Sequence, residues 1–156
     1  MGITYIEGDT KPEHAKVGIV VSRWNSSITE KMLVGALSVL KGNGVAEEHI
    51  IVTRCPGSFE LPLAVQSLMD AKELDGVIAL GVVIRGGTPH FEYVCDAVTQ
   101  GILNINLKKG KPVAFGVLTT DNVKQALERV GDKGNKGGEA ALALLEMISL
   151  QQKLND

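Results

Sequence analysis

At 156 residues the chain is long enough for one well-cored domain and too short for two ordinary ones. With 44% apolar and 22% charged residues it reads as globular and not disordered, and a formal net charge of −2 gives no general attraction to nucleic acid or anionic membrane. No apolar run approaches the ~20 residues of a membrane span. The opening residues 1–7 lack the basic-then-apolar pattern of a secretory signal. Cys55 and Cys95 stand apart without a C-x-x-C pair, so a reduced, cytoplasmic protein is expected.

Residues 3–6 alternate apolar and polar, which predicts a short edge strand in an N-terminal arm (residues 1–14), placed to pair with another subunit. Lys16 to Ser22 (KVGIVVS) predicts the first buried strand. After Arg23, Trp24 and Asn25, the run Ser27-Ile28-Thr29-Glu30 fits a capping box and predicts a helix to about Lys41. Gly42-Asn43-Gly44 ends it. His49 to Arg54 predicts the second strand, and Cys55-Pro56-Gly57-Ser58 its turn. Phe59-Glu60-Leu61-Pro62 opens the next helix, where Pro62 is tolerated in the first turn.

The stretch Val77 to Val94 (VIALGVVIRGGTPHFEYV) carries the most information. Its continuous β-branched run suits a strand buried on both faces, as at the centre of a parallel sheet. The run breaks at Arg85-Gly86-Gly87-Thr88-Pro89, and His90 opens a segment with helical spacing. Thr88 can act as N-cap and Pro89 has no N–H to lose at a helix start. Strand, glycine turn and helix N-terminus together make an anion site, because free N–H groups and the helix dipole point outward there. The same residues nearly match a nucleotide-binding P-loop, but Gly87 stands where its lysine belongs, which argues against NTP hydrolysis and for a smaller phosphate ligand. His90 sets a titratable group beside that anion.

The helix from His90 is expected to reach about Lys108, and Val113 to Leu118 to form the fourth strand. Thr120 or Asp121 caps a helix to Val130, the run Gly131 to Lys136 interrupts, and a final helix spans about Gly138 to Lys153. Strands alternating with helices give a parallel sheet with helices on both faces. The expected fold is therefore one α/β domain over residues 1–156, a flavodoxin-like doubly wound sheet of four parallel strands in the order 2-1-3-4. Ligands in such sheets sit at the carboxyl ends of the strands. Loops there supply Trp24 and Asn25, then Gly57, Ser58 and Glu60, then Gly86 to His90, and Thr119-Thr120.

Each candidate has a plainer reading. Trp24 offers a flat face to an aromatic ligand, or packs into the core. Glu60 suits a helix first turn whether or not it binds anything. His90 is a proton carrier or a helix-start residue. Arg129 is most simply a partner for a helix C-terminus, and Lys133 and Lys136 are most simply solvated. A metal site from His49, Cys55, His90 and Cys95 has no ligand spacing to recommend it. A receiver domain of the same architecture needs acidic residues after the first and third strands, where this chain has Ser22-Arg23 and Gly81-Val82.

Four segments in order carry a resemblance. They are Pro56-Gly57-Ser58-Phe59-Glu60-Leu61-Pro62, the run Gly81 to Tyr93 (GVVIRGGTPHFEY), Phe115-Gly116-Val117-Leu118-Thr119-Thr120, and Gln125-Ala126-Leu127-Glu128-Arg129 with Gly134-Asn135-Lys136-Gly137. The chain resembles the 6,7-dimethyl-8-ribityllumazine synthase family over nearly its whole length. The resemblance implies condensation of 5-amino-6-(D-ribitylamino)uracil with 3,4-dihydroxy-2-butanone 4-phosphate, with loss of phosphate and water and with no metal or organic cofactor. It places Trp24 on the pyrimidine with Asn25 beside it, Ser58, Phe59 and Glu60 at the ribityl chain, and Val82, Val83 and Ile84 along the ring. Gly87 and Thr88 match the phosphate turn, and His90 the proton-transfer residue. Phe115 and Arg129 match residues that reach the site from a neighbouring subunit, Arg129 towards phosphate, and Lys136 a lysine near the pyrimidine.

The partners so implied are the two small substrates and other copies of the chain in a pentamer, with association with riboflavin synthase left open. Trp24 stands where phenylalanine or tyrosine is commoner, and Ser58 where alanine is frequent. The link Gly131-Asp132-Lys133-Gly134-Asn135 is one residue shorter than usual, which favours a hollow icosahedral shell over free pentamers. The rival reading is a non-catalytic flavin binder or shell protein of the same fold. An intact His90, Arg129 and Gly87-Thr88 favour the enzyme.

Overall fold

The four apolar runs become the strands of one parallel sheet, in a computed structural model that describes residues 2–156. They are β1 (Val17–Ser22), β2 (Ile50–Cys55), β3 (Gly76–Ile84) and β4 (Val113–Thr120), hydrogen-bonded in the order β2-β1-β3-β4. The flavodoxin-like α/β expectation therefore holds. β1 is buried along its whole length and β3 as far as Val83, as strands covered on both faces must be.

Alternate residues of each strand feed two separate cores. On one face lie α1 (Ser26–Gly42) and α5 (Lys136–Leu154), whose Ile28, Met32, Leu40, Leu144, Leu145 and Ile148 pack on Ile78, Leu80, Val82 and Leu118. On the other lie α2 (Leu61–Ala71) and α3 (His90–Lys109), whose Leu61, Val65, Val98 and Ile102 pack on Val20, Val77, Ala79, Val113 and Val117. The α1 and α5 backbones approach closely. A Cβ on Gly137 would fall 2.0 Å from the Met32 carbonyl oxygen. Asn135 fixes that approach: its Oδ1 accepts from Gly137 N–H (2.9 Å) and Gly138 N–H (3.2 Å), and its Nδ2 donates to Lys31 O (3.0 Å).

Several element ends differ from expectation, some because a distant residue intervenes and some through a local bond. No capping box forms at Ser27: α1 starts two residues earlier, with Asn25 as its N-cap residue, and the Glu30 carboxylate pairs with Arg54 of β2 through two bonds of 3.0 and 3.1 Å. β4 runs on to Thr120, and Asn122, not Thr120 or Asp121, caps α4 (Val123–Glu128) by accepting from Gln125 N–H at 2.9 Å. The glycine-rich link is a small antiparallel ladder, β5 (Val130–Gly131) with β6 (Gly134–Asn135), and α5 begins at Lys136.

The edge strand expected over residues 3–6 forms no ladder within this chain, and Ile3, Tyr5 and Ile6 are exposed. The arm is fastened to α5 and not to a sheet edge. Lys153 Nζ donates to Glu7 O (2.8 Å), and Asp9 N–H donates to Ser149 Oγ (3.0 Å). The Lys11 N–H and then Lys153 hold the Asp9 carboxyl below its usual range. Among the described residues no helix is long and apolar enough to cross a membrane.

Candidate active site at the carboxyl ends of the strands

The sheet order reverses direction between β1 and β3, and a crevice opens there because the two strands separate early. β1 pairs with β3 only as far as Val21↔Leu80, whereas β4 stays paired through Ile84↔Thr120. The last residues of β3 thus have one backbone edge free of strand pairing.

The exits of β1 and β2 are laced together on the near side of that crevice. Arg23 N–H donates to Cys55 O (2.8 Å), and Trp24 N–H to Pro56 O (2.9 Å). Asn25 turns the chain into α1 with φ 62 and ψ 45, a left-handed conformation that asparagine accepts better than most residues. Trp24 is 65% exposed, so it is not a core tryptophan. Its indole lies against Gly57, where a Cβ would fall 2.3 Å from Cε3. Only glycine lets the ring sit that low over the turn.

The turn after β2 closes on itself and on β3. Gly57 N–H donates to Glu60 Oε1 (3.0 Å) and Glu60 N–H to Gly57 O (3.2 Å), so the helix-start role of Glu60 is realised through one carboxylate oxygen. The buried Ser58 hydroxyl donates to Val82 O at 3.1 Å, pinning the turn across the open edge of β3. Phe59 projects from the same turn, exposed. Val82 and Val83 send their side chains into the two cores, so what they present to the rim is backbone; Ile84 is half-buried. The Ser22 hydroxyl, buried nearby at the end of β1, has no hydrogen-bond partner.

Beyond Ile84 the glycine turn stands open. Nothing lies within 4 Å of where a Cβ would be on Gly86 or Gly87, and Gly86, Gly87 and Thr88 are exposed. Pro89 is the N-cap residue of α3, and the Thr88 hydroxyl accepts weakly from His90 N–H at 3.4 Å. His90 is exposed in the first turn. The root of the turn is held by Arg85, which carried no role in the sequence. Its N–H extends the β3–β4 ladder to Thr120 O (2.8 Å), its Nε donates to Asp121 Oδ1 (2.9 Å), and its Nη1 to Glu92 Oε1. The guanidinium also sits 4.4 Å from the centre of the Phe91 ring. Arg85 holds the Glu92 carboxyl below its usual range.

Three expected site residues stand apart from this group. Phe115 lies opposite Ala79, five residues before the end of β3 and so roughly 16 Å short of the rim. It is 41% exposed on the α2/α3 side of the edge strand β4. Arg129 and Lys136 are brought side by side, Lys136 N–H donating to Arg129 O at 2.9 Å. The Arg129 guanidinium folds back on Gln125 O (2.8 Å), and Lys136 lies 3.6 Å from Glu139. Neither bonds to the glycine turn.

A larger cleft, about 720 Å³, lies at the opposite rim between the arm and α5, lined by Asp9, His14, Asp75, Lys111, Ser149 and Lys153. Two of its carboxylates already have partners, Asp9 with Lys153 and Asp75 with Lys16 N–H. Cys55 is no nucleophile: burial first, then Glu60, push its thiol up to about 11, so it stays protonated at neutral pH. Among the described residues no three His, Cys, Asp or Glu side chains gather as metal ligands.

The open-edged β3, the exposed tryptophan on a glycine turn and the glycine turn running into His90 are features of one rim. A comparison with protein families agrees: residues 14–152 match the family model described as 6,7-dimethyl-8-ribityllumazine synthase. The chain belongs to the 6,7-dimethyl-8-ribityllumazine synthase family of riboflavin biosynthesis.

Proposed function

We propose that the chain itself condenses 5-amino-6-(D-ribitylamino)uracil with 3,4-dihydroxy-2-butanone 4-phosphate to give 6,7-dimethyl-8-ribityllumazine, phosphate and water. The observation that carries this reading is the open glycine turn, Gly86-Gly87-Thr88, with His90 in the helix turn that follows it. Free N–H groups at a helix start suit a phosphate, and an imidazole beside it suits a reaction built from proton transfers. An amine attacks the ketone, an imine forms with loss of one water, phosphate leaves by elimination, and the second amine closes the ring with loss of another. Every step moves protons and none needs an external oxidant or reductant. General acid–base help of this kind contributes typically ~10²–10⁴ in rate.

Trp24 supplies the face on which the pyrimidine stacks, with Asn25 beside it. Phe59 and the Ser58–Glu60 turn receive the ribityl chain, and the uncovered edge of Val82 to Ile84 faces the ring. Gly87 and Thr88 bind phosphate. Phe115 and Arg129 complete the site from a neighbouring copy, which accounts for Phe115 lying far from the rim of its own chain, and Lys136 lies near the pyrimidine. A head-to-tail contact between copies closes into a ring or runs on as a filament; we assign a ring, and by the family resemblance a pentamer. The short β5–β6 link favours further closure into a hollow shell, and the exposed segment 3–6 adds to a neighbour's sheet edge. We place the protein in the cytoplasm.

The test mixes the purified protein with both substrates and follows lumazine absorbance and phosphate release. Stoichiometric release of both supports the enzyme. Ligand binding without phosphate release leaves the non-catalytic reading. Sedimentation at neutral pH separates chain, pentamer and shell, and a monomer with full activity would remove the shared site.

A further inference from the structure

We propose that Arg85 is a positioning residue of this site: gripped by Glu92 and Asp121, it fixes where His90 stands and shields the phosphate turn from two carboxylates. This rests on the reading of the site given above. Arg85 is the first residue past β3, and it reaches three segments at once. Its main chain ties to β4 through Thr120 O, its Nε to the β4–α4 link through Asp121, and its Nη1 and ring stacking to the first turn of α3 through Glu92 and Phe91. His90 immediately precedes those two α3 residues. Open space surrounds the positions where side chains would stand on the glycines between Arg85 and Thr88. The body of α3 is held by Val98, Ile102 and Ile105 in the core, and its first turn, with the imidazole, is tied down by Arg85 at the root of the glycine turn.

The charges give Arg85 a second task. Glu92 and Asp121 place two negative groups beside a turn meant for a phosphate monoester, which itself carries about −1.5 to −2 at neutral pH. Arg85 cancels one charge and draws oxygens of both carboxylates onto itself. Its Nε and Nη1 are engaged in doing so, which leaves the phosphate contact to the Arg129 proposed above. Lysine keeps the charge at this position but cannot reproduce a fork that serves two carboxylates while stacked on a ring.

That difference separates the two tasks experimentally. Arg85→Lys is expected to lower kcat by about 10-fold to 100-fold, as small misplacements of reacting groups do, with KM for the phosphate-bearing substrate unchanged. Arg85→Met should show the same loss of kcat, together with a rise of about 10-fold in that KM and a matching loss of competition by inorganic phosphate. KM for the pyrimidine should not move. Adding Glu92→Gln and Asp121→Asn to Arg85→Met should restore the phosphate KM and leave kcat low.

A wild-type kcat in Arg85→Lys overturns the positioning role, and an unaltered phosphate KM in Arg85→Met overturns the shielding role. Amide hydrogen exchange over residues 85–92 reads the positioning without turnover. It should quicken in Arg85→Lys, and exchange equal to wild type overturns the proposal even if the unsubstituted protein proves unable to condense the substrates, a result that would sink the assigned reaction instead.

Discussion

Helices α3 and α5 are nearly the same length, 20 and 19 residues, and cover opposite faces of one sheet, yet they are finished to different degrees. α5 buries Gly137, Gly138, Ala140, Ala141, Leu144, Leu145, Ile148 and Ser149, because glycine and alanine at its start let it close on α1. α3 buries only Val98, Ile102 and Ile105, and leaves Tyr93 and Leu107 each 75% exposed. The α5 side keeps some apolar residues exposed, Val34 of α1 and Leu142, Met147 and Leu154 of α5. The α3 side exposes more in large side chains, Tyr93, Leu103 and Leu107 with Leu63 of α2 and Phe115 of β4. We assign to this second face the contacts between copies on which the proposed shared site depends.

Substitutions on the two faces should therefore fail in different ways. The largest effect is expected for Gly137→Val, whose side chain has no room beside the Met32 carbonyl. A loss above about 4 kcal/mol is expected, enough to leave little folded protein by circular dichroism. Leu144→Ala, buried in the same core, should cost about 2–5 kcal/mol in denaturant unfolding with an unchanged slope. Arg54→Gln removes the exposed pair with Glu30 and should cost only about 0.2–1 kcal/mol.

That small contribution has a defined pH window. Hydrogen bonding from Arg54 lowers the Glu30 carboxyl below 4.5, so the pair's stabilisation is present above that pH and is lost as pH falls through the lowered value. Wild type and Arg54→Gln should converge in acid. Smallest in unfolding terms is Leu107→Ser on α3, expected within about 0.5 kcal/mol for the chain itself. Its effect should appear in sedimentation, as a shift towards single chains with loss of activity. A Leu107→Ser chain that unfolds as easily as Leu144→Ala would erase the distinction between the faces.

Most of the fold could be read in advance because β1 and β3 are buried on both faces and so are written as unbroken apolar runs. The order of the strands follows from right-handed crossovers and the same burial. Apart from α3 at His90, helix starts were read less well. Glu30, Asp121 and Asn122 compete for local and distant partners, and Arg54 and Arg85, far away in sequence, take the two carboxylates. The rim residues were legible from glycine and proline placement, including Trp24 and the turn at Gly57. Arg85 was not, since only the folded chain brings Phe91, Glu92 and Asp121 around it. Phe115 and Arg129 were named through a family likeness alone, and a single chain holds Phe115 short of the rim and Arg129 folded back on Gln125 O.

The join at Asn135 has a consequence for how such a chain can change over time. A Cβ on Gly35 would fall 2.3 Å from the Asn135 Oδ1, the same oxygen that accepts from the first N–H groups of α5. Two positions one hundred residues apart are thus a single inherited unit. A descendant that acquires alanine at 35 loses the cap of its last helix, and one that replaces the asparagine leaves Lys31 O without its donor. A change at either position alone is expected to cost stability, and any lineage that has left this pair should be found to have changed both together.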